Sequence, residues 1–471
     1  MTASRPLVVD VDGTLVRGDL LHEAALQFLA RHPLEFWRLG LWLTQGKAKL
    51  KDALSARVDP GIDSVPLRSE VLAAIDQARA DGREIVLASA SPERWVSALA
   101  TRIGGARVMA SSGTVNLAGA AKAQALVDTF GEGGFDYVGD APVDLPVWKA
   151  AGHQLVVAHN RSIERLATSH FPDAEIVSRD RPSWRAHLKA LRPHQWSKNL
   201  LVFLTMVAGH HFDLASVLAL LLAFFCFCAA ASSAYIINDL LDLPGDRDHP
   251  SKRYRPFASG ALSPVRGIVM AAVLMLAALG AATTLHVQFL LVLSCYVVLT
   301  LGYSLVLKRR LIIDIIVLGG LYTIRVFGGV KALQQDESPW LLMFCLFLFL
   351  SLAAVKRCTE LVARREAGKT GAAGRGYRVD DLAVLYPLAS AAGYGAVLVV
   401  ALYLSSPDVA ELYAHPNRMW LICPMLLYWV SRIIVIASRN ELHHDPVIFA
   451  LTDRISWLCG AIIALIILVS I

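Results

Sequence analysis

The sequence predicts two units of different fold class: an N-terminal α/β Rossmann-like domain with a helical cap, and a C-terminal all-α polytopic membrane bundle of about nine helices. Charged and apolar residues are mixed up to residue 188, whereas apolar stretches of membrane-spanning length follow one another from residue 199. With 55% hydrophobic and 18% charged residues, the 471-residue chain is too apolar for a soluble enzyme of its length. We place the two domains at residues 1–185 and 186–471.

The first domain begins with a buried strand. The stretch PLVVDVDGTL ends in a carboxylate pair and a glycine turn, which is typical of a doubly wound sheet. Asp10 and Asp12 are two residues apart, so in extended chain they point the same way. Polar residues also follow later strands or lie near them, namely Ser89, Lys122, Asp140 and Asp144. Together they predict one site with a nucleophile, an acid, phosphate-binding groups and magnesium carboxylates.

This combination resembles the haloacid-dehalogenase-like phosphatases, and the resemblance covers roughly the first 180 residues. Its motifs are DVDGT, then the serine and the lysine, then GDAPVD. It implies an aspartyl-phosphate intermediate on Asp10 and acid/base work by Asp12. The implied phosphate-binding residues are Thr14, Ser89 and Lys122. The implied Mg²⁺ ligands are Asp10, Asp12, Asp140 and Asp144.

The segment between Leu20 and Arg83 is expected to form the cap of this domain. Its stretch FWRLGLWLTQGKAKLK places Trp37 and Trp42 on an amphipathic helix. Packing of this helix on the sheet is the interpretation that we favour, and contact with a membrane surface is the alternative.

Nine membrane spans are predicted, placed approximately at residues 199–210, 214–237, 264–284, 287–306, 312–331, 339–356, 382–404, 418–437 and 453–471. The connections between them are alternately rich and poor in Lys and Arg, so with a cytoplasmic N-terminus every basic connection lies inside. The N-terminus has no signal-peptide pattern. We therefore expect a multi-pass protein of the inner (plasma) membrane with its N-terminal domain in the cytoplasm.

The net charge of +6 lies largely in these connections. It suits membrane orientation and anionic substrates, whereas nucleic acid is not an expected partner because basic and aromatic residues are not interleaved. The seven cysteines all fall in the membrane domain without the spacing of a zinc or redox site. A homo-oligomer is left open.

An aspartate-rich segment follows the second predicted span. It reads NDLLDLPGDRDHPSKRYRPFASG, in which Asp239, Asp242 and Asp246 are one helical turn apart and basic residues follow. Carboxylates on one face can hold Mg²⁺ against a diphosphate while cations bind its remaining oxygens. The substrate-binding candidates in this segment are Asn238, Lys252, Arg253 and Arg255. The alternative is an ordinary charged loop that closes a membrane hairpin.

This half of the chain resembles the UbiA-type intramembrane transferases. The resemblance rests on RPHQWSKN, the aspartate-rich segment and YSLVLKRRLIID, which contribute the candidates Lys198, Tyr303 and Lys308. Family members that use prenyl diphosphates carry a second aspartate-rich motif after the sixth span. Here that loop reads KRCTELVARREAGK, with Lys356 and Arg357 instead of acids. A second cluster of cations suits a substrate with an additional phosphate monoester.

In this respect the chain is similar to the decaprenyl-phosphate phosphoribosyltransferases of the family. The implied substrates are a polyprenyl (decaprenyl) phosphate and phosphoribosyl diphosphate, with Asp239 and Asp242 as catalytic residues and Mg²⁺ at both sites. The phosphatase domain would then remove the 5-phosphate to give polyprenyl-phospho-ribose, a cell-surface glycan precursor. The alternatives are an aromatic prenyltransferase with an accessory phosphatase, a phosphatase anchored by an inert bundle, and a non-catalytic membrane scaffold.

Overall fold

The computed structural model describes residues 5–111, 117–180, 183–209, 211–368, 376–407, 409, 413–442 and 445–470. Contacts along the chain divide it into two compact units. The first comprises Met1–Leu191 together with Tyr235–Ala271, and the second comprises Arg192–Ala234 together with Ala272–Ile471. The first unit thus contains the predicted N-terminal domain and, in addition, the aspartate-rich segment.

A six-stranded parallel sheet forms the centre of the first unit, which confirms the predicted α/β class. The strand order is β3-β2-β1-β4-β5-β6, with bounds Leu7–Val9 (β1), Ile85–Pro92 (β2), Arg107–Ser111 (β3), Asp136–Gly139 (β4), His153–Ala158 (β5) and Glu175–Arg179 (β6). Leu7 and Val9 belong to one apolar cluster and Val8 belongs to another. Because both faces of the sheet are covered at this strand, β1 is a continuous apolar run.

In the described part of this domain nine helices accompany the sheet: Leu20–Arg31 (α1), Trp37–Thr44 (α2), Lys47–Ser55 (α3), Ser69–Ala80 (α4), Glu93–Arg102 (α5), Ala120–Phe130 (α6), Leu145–Ala150 (α7), Arg161–His170 (α8) and Trp184–Leu191 (α9). The cap helices α1 to α3 lie between β1 and β2 in the chain. Trp42 is buried, and its ring lies 5.2 Å from that of Phe28, so the expected packing on the core is confirmed for this residue. Trp37 is 54% exposed, and its contact with a membrane surface stays a prediction.

The rest of the chain is helical. Its helices are Leu204–Ala208 (α10), Leu214–Leu241 (α11), Leu243–Asp248 (α12), Pro264–Ala282 (α13), Val287–Leu305 (α14), Ile313–Ala332 (α15), Pro339–Glu366 (α16), Leu382–Leu404 (α17), Pro416–Met419 (α18), Ile422–Ser438 (α19), Pro446–Thr452 (α20) and Arg454–Ser470 (α21). Within the described ranges seven helical segments are long and apolar enough to cross a membrane, and α20 with α21, bent by 74°, makes an eighth if it counts as one span. The chain is therefore a multi-pass membrane protein.

The first predicted span, at 199–210, differs most from the structure. A 3-10 helix, Pro193–Phe203, leads here into the five-residue α10, and neither reaches membrane-spanning length by itself. Asn199 is fully buried and accepts a hydrogen bond from Arg325 (Nε to Oδ1, 2.7 Å). Polar contacts thus hold this segment inside the second unit, and the seven or eight helices of membrane-spanning length among the described residues roughly match the predicted number of about nine. The predicted orientation stays a prediction.

Candidate active sites

The carboxyl end of β1 is built around a close approach of two loops. Asp10 follows β1 directly, and the chain turns at Gly13, whose φ is +81°. A Cβ at Gly13 would lie 2.3 Å from Oδ2 of Asp140, so only glycine allows this loop to rest on the residue that follows β4. Thr14 donates a hydrogen bond to Oδ1 of Asp140 (2.9 Å). The glycine turn therefore brings Asp10 and Asp140 to one edge of the sheet.

Lys122, near the start of α6, connects Asp10, the predicted nucleophile, to Asp144 through Tyr137. Its Nζ donates to Oδ1 of Asp10 (2.6 Å) and to the hydroxyl of Tyr137 (3.0 Å). Tyr137 in turn donates to Oδ1 of Asp144 (2.8 Å). All four side chains are buried, so one ammonium group faces two carboxylates away from bulk water. The sequence did not reveal Tyr137, because it reads as one more apolar residue of β4.

Three carboxylates at this strand edge can share a cation. Asp10, Asp140 and Asp144 each offer an oxygen atom, and these atoms lie within 4.8 Å of one another. Burial raises the pKa of Asp10 well above its ordinary range; Lys122 counteracts this, while Asp144 and Asp140 raise it further. A divalent cation would relieve this repulsion, and carboxylate oxygens are the ligands that Mg²⁺ prefers. The residues present therefore fit a magnesium ion.

Asp12 lies outside that group of three. Its carboxylate accepts hydrogen bonds from the backbone N–H of Leu20 (2.8 Å), from Ser91 (2.6 Å) and from Ser89 (3.3 Å). These donors contact both oxygens of the Asp12 carboxylate in the structure, and the metal contact predicted for Asp12 stays a prediction. Burial raises the pKa of Asp12 above its ordinary value, which suits a group that gives and takes a proton. The phosphate contact predicted for Ser89 stays a prediction.

Three residues that sequence reasoning missed surround Asp140. His159 contacts Oδ2 of Asp140 through Nε2, and its Nδ1 lies 3.7 Å from Asp180. Burial alone would lower the pKa of His159, but hydrogen bonds to Asp140 and Asp180 raise it to about 9. The fully buried Arg68 pairs with Asp180 (2.7 Å) and donates to the carbonyl oxygen of Gly13 (3.2 Å). His159 and Asp180 each come directly after a strand, β5 and β6, which was the signal that could have found them.

The aspartate-rich segment forms its own cluster in the first unit. Nη1 of Arg255 lies 3.2 Å from Oδ1 of Asp239 and 2.5 Å from Oδ2 of Asp246. Both carboxylates are buried and approach the same nitrogen atom, so they are close enough to share one cation. Asp242 accepts a hydrogen bond from Asn238 (3.1 Å) instead. Within the described residues the three aspartates do not form a group as tight as that at the sheet edge.

The other cations of this segment are more exposed. Lys252 lies 3.9 Å from Oδ1 of Asp246, and Arg253 donates to the hydroxyl of Tyr254 (2.8 Å). Lys252, Arg253 and Tyr254 form a single 3-10 turn. The chain thus turns after the aspartates, so that Lys252 and Arg255 lie beside the carboxylate of Asp246.

In the second unit two lysines converge on one carboxylate. Lys198 (Nζ, 3.0 Å) and Lys356 (Nζ, 2.7 Å) both donate to Oδ2 of Asp445, and Tyr322 donates to Oδ1 (3.3 Å). Burial would raise the pKa of Asp445, but Lys356 and Lys198 hold it below its ordinary value. Sequence reasoning selected both lysines and missed Asp445, which precedes α20.

A second cluster of this unit surrounds Asp314. Arg357 donates to Asp314 (Nε to Oδ2, 2.5 Å) and to the hydroxyl of Tyr303 (2.8 Å), and Tyr303 donates to Asp314 (2.8 Å). Arg357 also pairs with Glu360 (2.8 Å). The adjacent residues Lys356 and Arg357 therefore serve different clusters. Lys308 is half-buried on the 3-10 turn Leu307–Arg309.

Comparisons with known proteins support this description. Residues 199–452 match the UbiA prenyltransferase family, and residues 7–149 match the haloacid dehalogenase-like hydrolases. An uncharacterized protein, y4nM, of Sinorhizobium fredii is 36% identical over 470 residues, which is 98% of this chain and 90% of the relative. The nodulation protein NoeC of Azorhizobium caulinodans is 36% identical over 58% of this chain and 89% of its own length. A decaprenyl-phosphate phosphoribosyltransferase of Mycolicibacterium smegmatis is 36% identical over 57% of this chain and 86% of its own length.

Proposed function

Because this chain belongs to the UbiA prenyltransferase family and carries a haloacid dehalogenase-like domain before the family's helices, we propose that it is a bifunctional membrane enzyme that makes polyprenyl-phospho-ribose. The first activity transfers 5-phosphoribosyl from phosphoribosyl diphosphate to polyprenyl (decaprenyl) phosphate. The second removes the 5-phosphate. A relative named as a decaprenyl-phosphate phosphoribosyltransferase supports the first activity.

The convergence of Lys198 and Lys356 on Asp445 carries this proposal. One carboxylate cannot neutralise two ammonium groups, so the cluster retains a positive charge. A prenyl diphosphate acting on an aromatic acceptor brings no further phosphate for such a cluster. The substrates proposed here bring two further phosphate groups besides the diphosphate. These are the phosphate of the polyprenyl lipid and the 5-phosphate of the ribose. Arg357, Tyr303 and Lys308 are further candidates for these phosphates.

In the proposed transfer, a phosphate oxygen of the lipid attacks the anomeric carbon of phosphoribosyl diphosphate. The bond from that carbon to the diphosphate oxygen breaks, and pyrophosphate leaves with the bonding electrons. Mg²⁺ held by Asp239, Asp242 and Asp246 would neutralise the leaving charge. In the structure Arg255 pairs with Asp239 and Asp246. We propose that it leaves these carboxylates and binds diphosphate oxygens when the substrate and Mg²⁺ are present. Asn238, Lys252 and Arg253 are proposed to bind the same group.

In the proposed hydrolysis, a carboxylate oxygen of Asp10 attacks the 5-phosphate and forms an aspartyl phosphate. The bond from phosphorus to the ribose oxygen breaks, and Asp12 gives that oxygen a proton. Water then attacks the phosphorus and gives a proton back to Asp12, while the bond from phosphorus to Asp10 breaks, so that phosphate leaves and the Asp10 carboxylate is restored. Lys122 and Thr14 balance the charge of the phosphoryl group, and Ser89 is proposed to assist. Mg²⁺ held by Asp10, Asp140 and Asp144 would screen the approach of carboxylate to phosphate.

Both activities are tested with one labelled substrate. Purified protein receives radiolabelled phosphoribosyl diphosphate, polyprenyl phosphate and Mg²⁺, and the lipid phase is analysed. We expect dephosphorylated lipid product from the wild type and accumulation of the 5-phosphorylated lipid from Asp10→Asn. Asp239→Asn should leave the lipid unlabelled while hydrolysis of p-nitrophenyl phosphate continues. A wild type that labels no lipid would contradict the proposal.

The same preparation distinguishes the alternatives. A prenyl diphosphate with an aromatic acid should give no product, whereas an aromatic prenyltransferase would form one. A phosphatase anchored by an inert bundle would hydrolyse p-nitrophenyl phosphate without labelling lipid. A membrane scaffold would do neither. We further propose an inner-membrane location with both sites in the cytoplasm, where phosphoribosyl diphosphate is made available, in agreement with the basic connections.

A further inference from the structure

The cavity at Asp10 has a wall that does not come from the phosphatase domain. The cavity has a volume of ≈1020 Å³, and its lining includes Asp10, Asp140 and, from the chain at and after the end of the aspartate-rich segment, residues 260, 261 and 263–266. Pro264 begins α13, one of the helices long and apolar enough to cross a membrane. The catalytic edge of the sheet therefore shares one cavity with the first turn of a membrane helix, within a single compact unit.

Close packing fixes this wall. Gly260 has a φ of +74°, and a Cβ there would lie 2.9 Å from Cβ of Arg17 and 3.0 Å from Cγ of Pro66. Arg17 itself donates its backbone N–H to the carbonyl oxygen of Pro66 (2.9 Å). The segment thus packs at Gly260 directly against the side chains of Arg17 and Pro66, next to the catalytic loop.

Among the described residues, the side chain of Arg266 is a cation of this cavity without a protein partner. The guanidinium groups of Arg17 and Arg68 pair with Asp180, Lys51 donates to the carbonyl oxygen of Ala90, and Lys122 pairs with Asp10. By contrast, the exposed side chains of Arg266 and Lys47 have neither a hydrogen bond nor an ion pair within the described residues. An arginine at the end of a membrane helix commonly extends to the lipid headgroups. Arg266 differs in that it also lines the cavity of a phosphate-cleaving site.

We propose that Arg266 and Lys47 form a second anion subsite of the phosphatase, which binds the phosphodiester of a lipid-linked substrate while its terminal phosphate lies at Asp10. The inference rests on the proposed function. The substrate of the second step carries a monoester at one end of the pentose and a diester to the lipid at the other. Its lipid must stay in the membrane, so the diester has to lie where the cavity meets a membrane helix. Arg266 is the cation at that place, and Lys47 of α3 lines the cavity from the cap.

The subsite makes the phosphatase selective for a membrane-anchored phosphate monoester over a soluble sugar phosphate. Ribose 5-phosphate can occupy the place at Asp10 but offers no second phosphate to Arg266. A charge-assisted hydrogen bond from a guanidinium or ammonium group to a phosphate oxygen is stronger than a hydrogen bond between neutral groups. Loss of either cation should therefore weaken binding of the lipid-linked substrate and leave the chemical step unchanged.

The test compares three substrates in full-length protein in detergent: synthetic farnesyl-phospho-ribose 5-phosphate, ribose 5-phosphate and p-nitrophenyl phosphate. Arg266→Ala and Lys47→Ala should each raise KM for the first substrate about tenfold with little change in kcat. The other two substrates should be hydrolysed as by the wild type. Arg266→Lys should recover part of the loss. The matched control is Arg165→Ala, which removes an exposed arginine of α8 outside the cavity.

Two outcomes would overturn the inference, and they differ in what else they overturn. If the wild type hydrolyses the farnesyl substrate and Arg266→Ala behaves like Arg165→Ala, the subsite is wrong while the proposed function stands. If the wild type hydrolyses p-nitrophenyl phosphate and not the farnesyl substrate, the second step of the proposed function fails together with the subsite.

Discussion

Asp140, at the carboxyl edge of the sheet, is held by a residue that follows a later strand. Asp140 offers an oxygen to the three-carboxylate group, and its other contacts are Thr14 and His159. Groups that hydrogen-bond a metal ligand fix its orientation and its charge. His159 therefore positions Asp140, and its place directly after β5 is the sequence signal that could have marked it.

Replacing His159 by Ala is expected to weaken magnesium binding at this edge. The Asp140 carboxylate loses the contact that orients it, and such losses cost about 10- to 100-fold in metal affinity. The measurement is p-nitrophenyl phosphate hydrolysis as a function of Mg²⁺ concentration, in which the half-saturating concentration should rise by that factor. His153→Ala is the control, because His153 begins the same strand and contacts only the exposed Glu175 among described residues. Equal magnesium curves for the two variants would contradict the assignment.

The sequence predicted the members of this site that share a motif and missed those that depend on strand order. Asp10, Lys122, Asp140 and Asp144 could be selected because each lies in a recognisable pattern. His159 and Asp180 are single polar residues after apolar strands. Their relevance follows only from the order β1-β4-β5-β6, which no local pattern encodes.

Between elements, a buried ion pair fastens the cap helix α1 to the aspartate-rich segment. Arg247 donates two hydrogen bonds to Glu23 (2.7 and 3.2 Å), and both side chains are at most 5% exposed. Arg247 also donates to the carbonyl oxygen of Ala258 (3.2 Å) and follows Asp246 directly. The predicted transferase carboxylates are thus held in place partly by the phosphatase cap.

Glu23→Gln should destabilise the protein markedly, because it leaves Arg247 buried without its counter-charge. Breaking such a pair from one side costs about 3–5 kcal/mol. Thermal unfolding in detergent measures the loss, and lipid labelling should fall more than p-nitrophenyl phosphate hydrolysis. The matched control is Glu35→Gln, which breaks an exposed pair with Arg38 (2.9 Å) and should cost no more than about 1 kcal/mol. A Glu23 variant as stable as the control would show that the pair contributes little.

One close approach between membrane segments occurs at Gly329 of α15. A Cβ at Gly329 would lie 2.3 Å from the carbonyl oxygen of Val202 and 2.7 Å from Oγ1 of Thr205, so alanine there must push the segment before α11 away. We expect Gly329→Ala to lower stability by about 1–3 kcal/mol. Gly320→Ala, in the same helix with open space around it, is the control and should be neutral. Similar unfolding temperatures for both would contradict this view of the packing.

Helix positions in the membrane part were predictable where apolar length decides them. The conformation of the segment around Lys198 and Asn199 was not predictable. It depends on hydrogen bonds to Asp445 and Arg325, which lie far away in the sequence. A hydropathy scale counts only apolar residues along the chain, so it cannot detect hydrogen-bond partners that are distant in sequence. The same limit explains why Lys356 and Arg357 were predicted to act together although they belong to different clusters.

At the scale of the whole molecule, one compact unit contains the sheet and the aspartate-rich segment. The sequence placed a domain boundary at residue 185 and gave no sign of this association, because residues such as Glu23 and Arg247 carry no pattern that pairs them. The two predicted sites are consequently joined by packing as well as by chain continuity. In the proposed route, an intermediate released at one of them would already be attached to the membrane that holds the other.

This arrangement predicts that the two steps are faster on one chain than on two. Asp10→Asn and Asp239→Asn proteins, purified separately and reconstituted together in vesicles, retain one activity each. The comparison uses wild-type protein mixed with an equal amount of the inactive double variant, Asp10→Asn with Asp239→Asn. Both kinds of vesicle then contain the same number of active transferase sites and active phosphatase sites. The wild-type vesicles should form dephosphorylated lipid without a lag, because a tethered phosphatase meets each new intermediate at high effective concentration. The mixed variants should first accumulate the 5-phosphorylated lipid, which must diffuse between molecules. Identical time courses would show that the lipid equilibrates in the membrane before hydrolysis and that fusion contributes nothing to the rate.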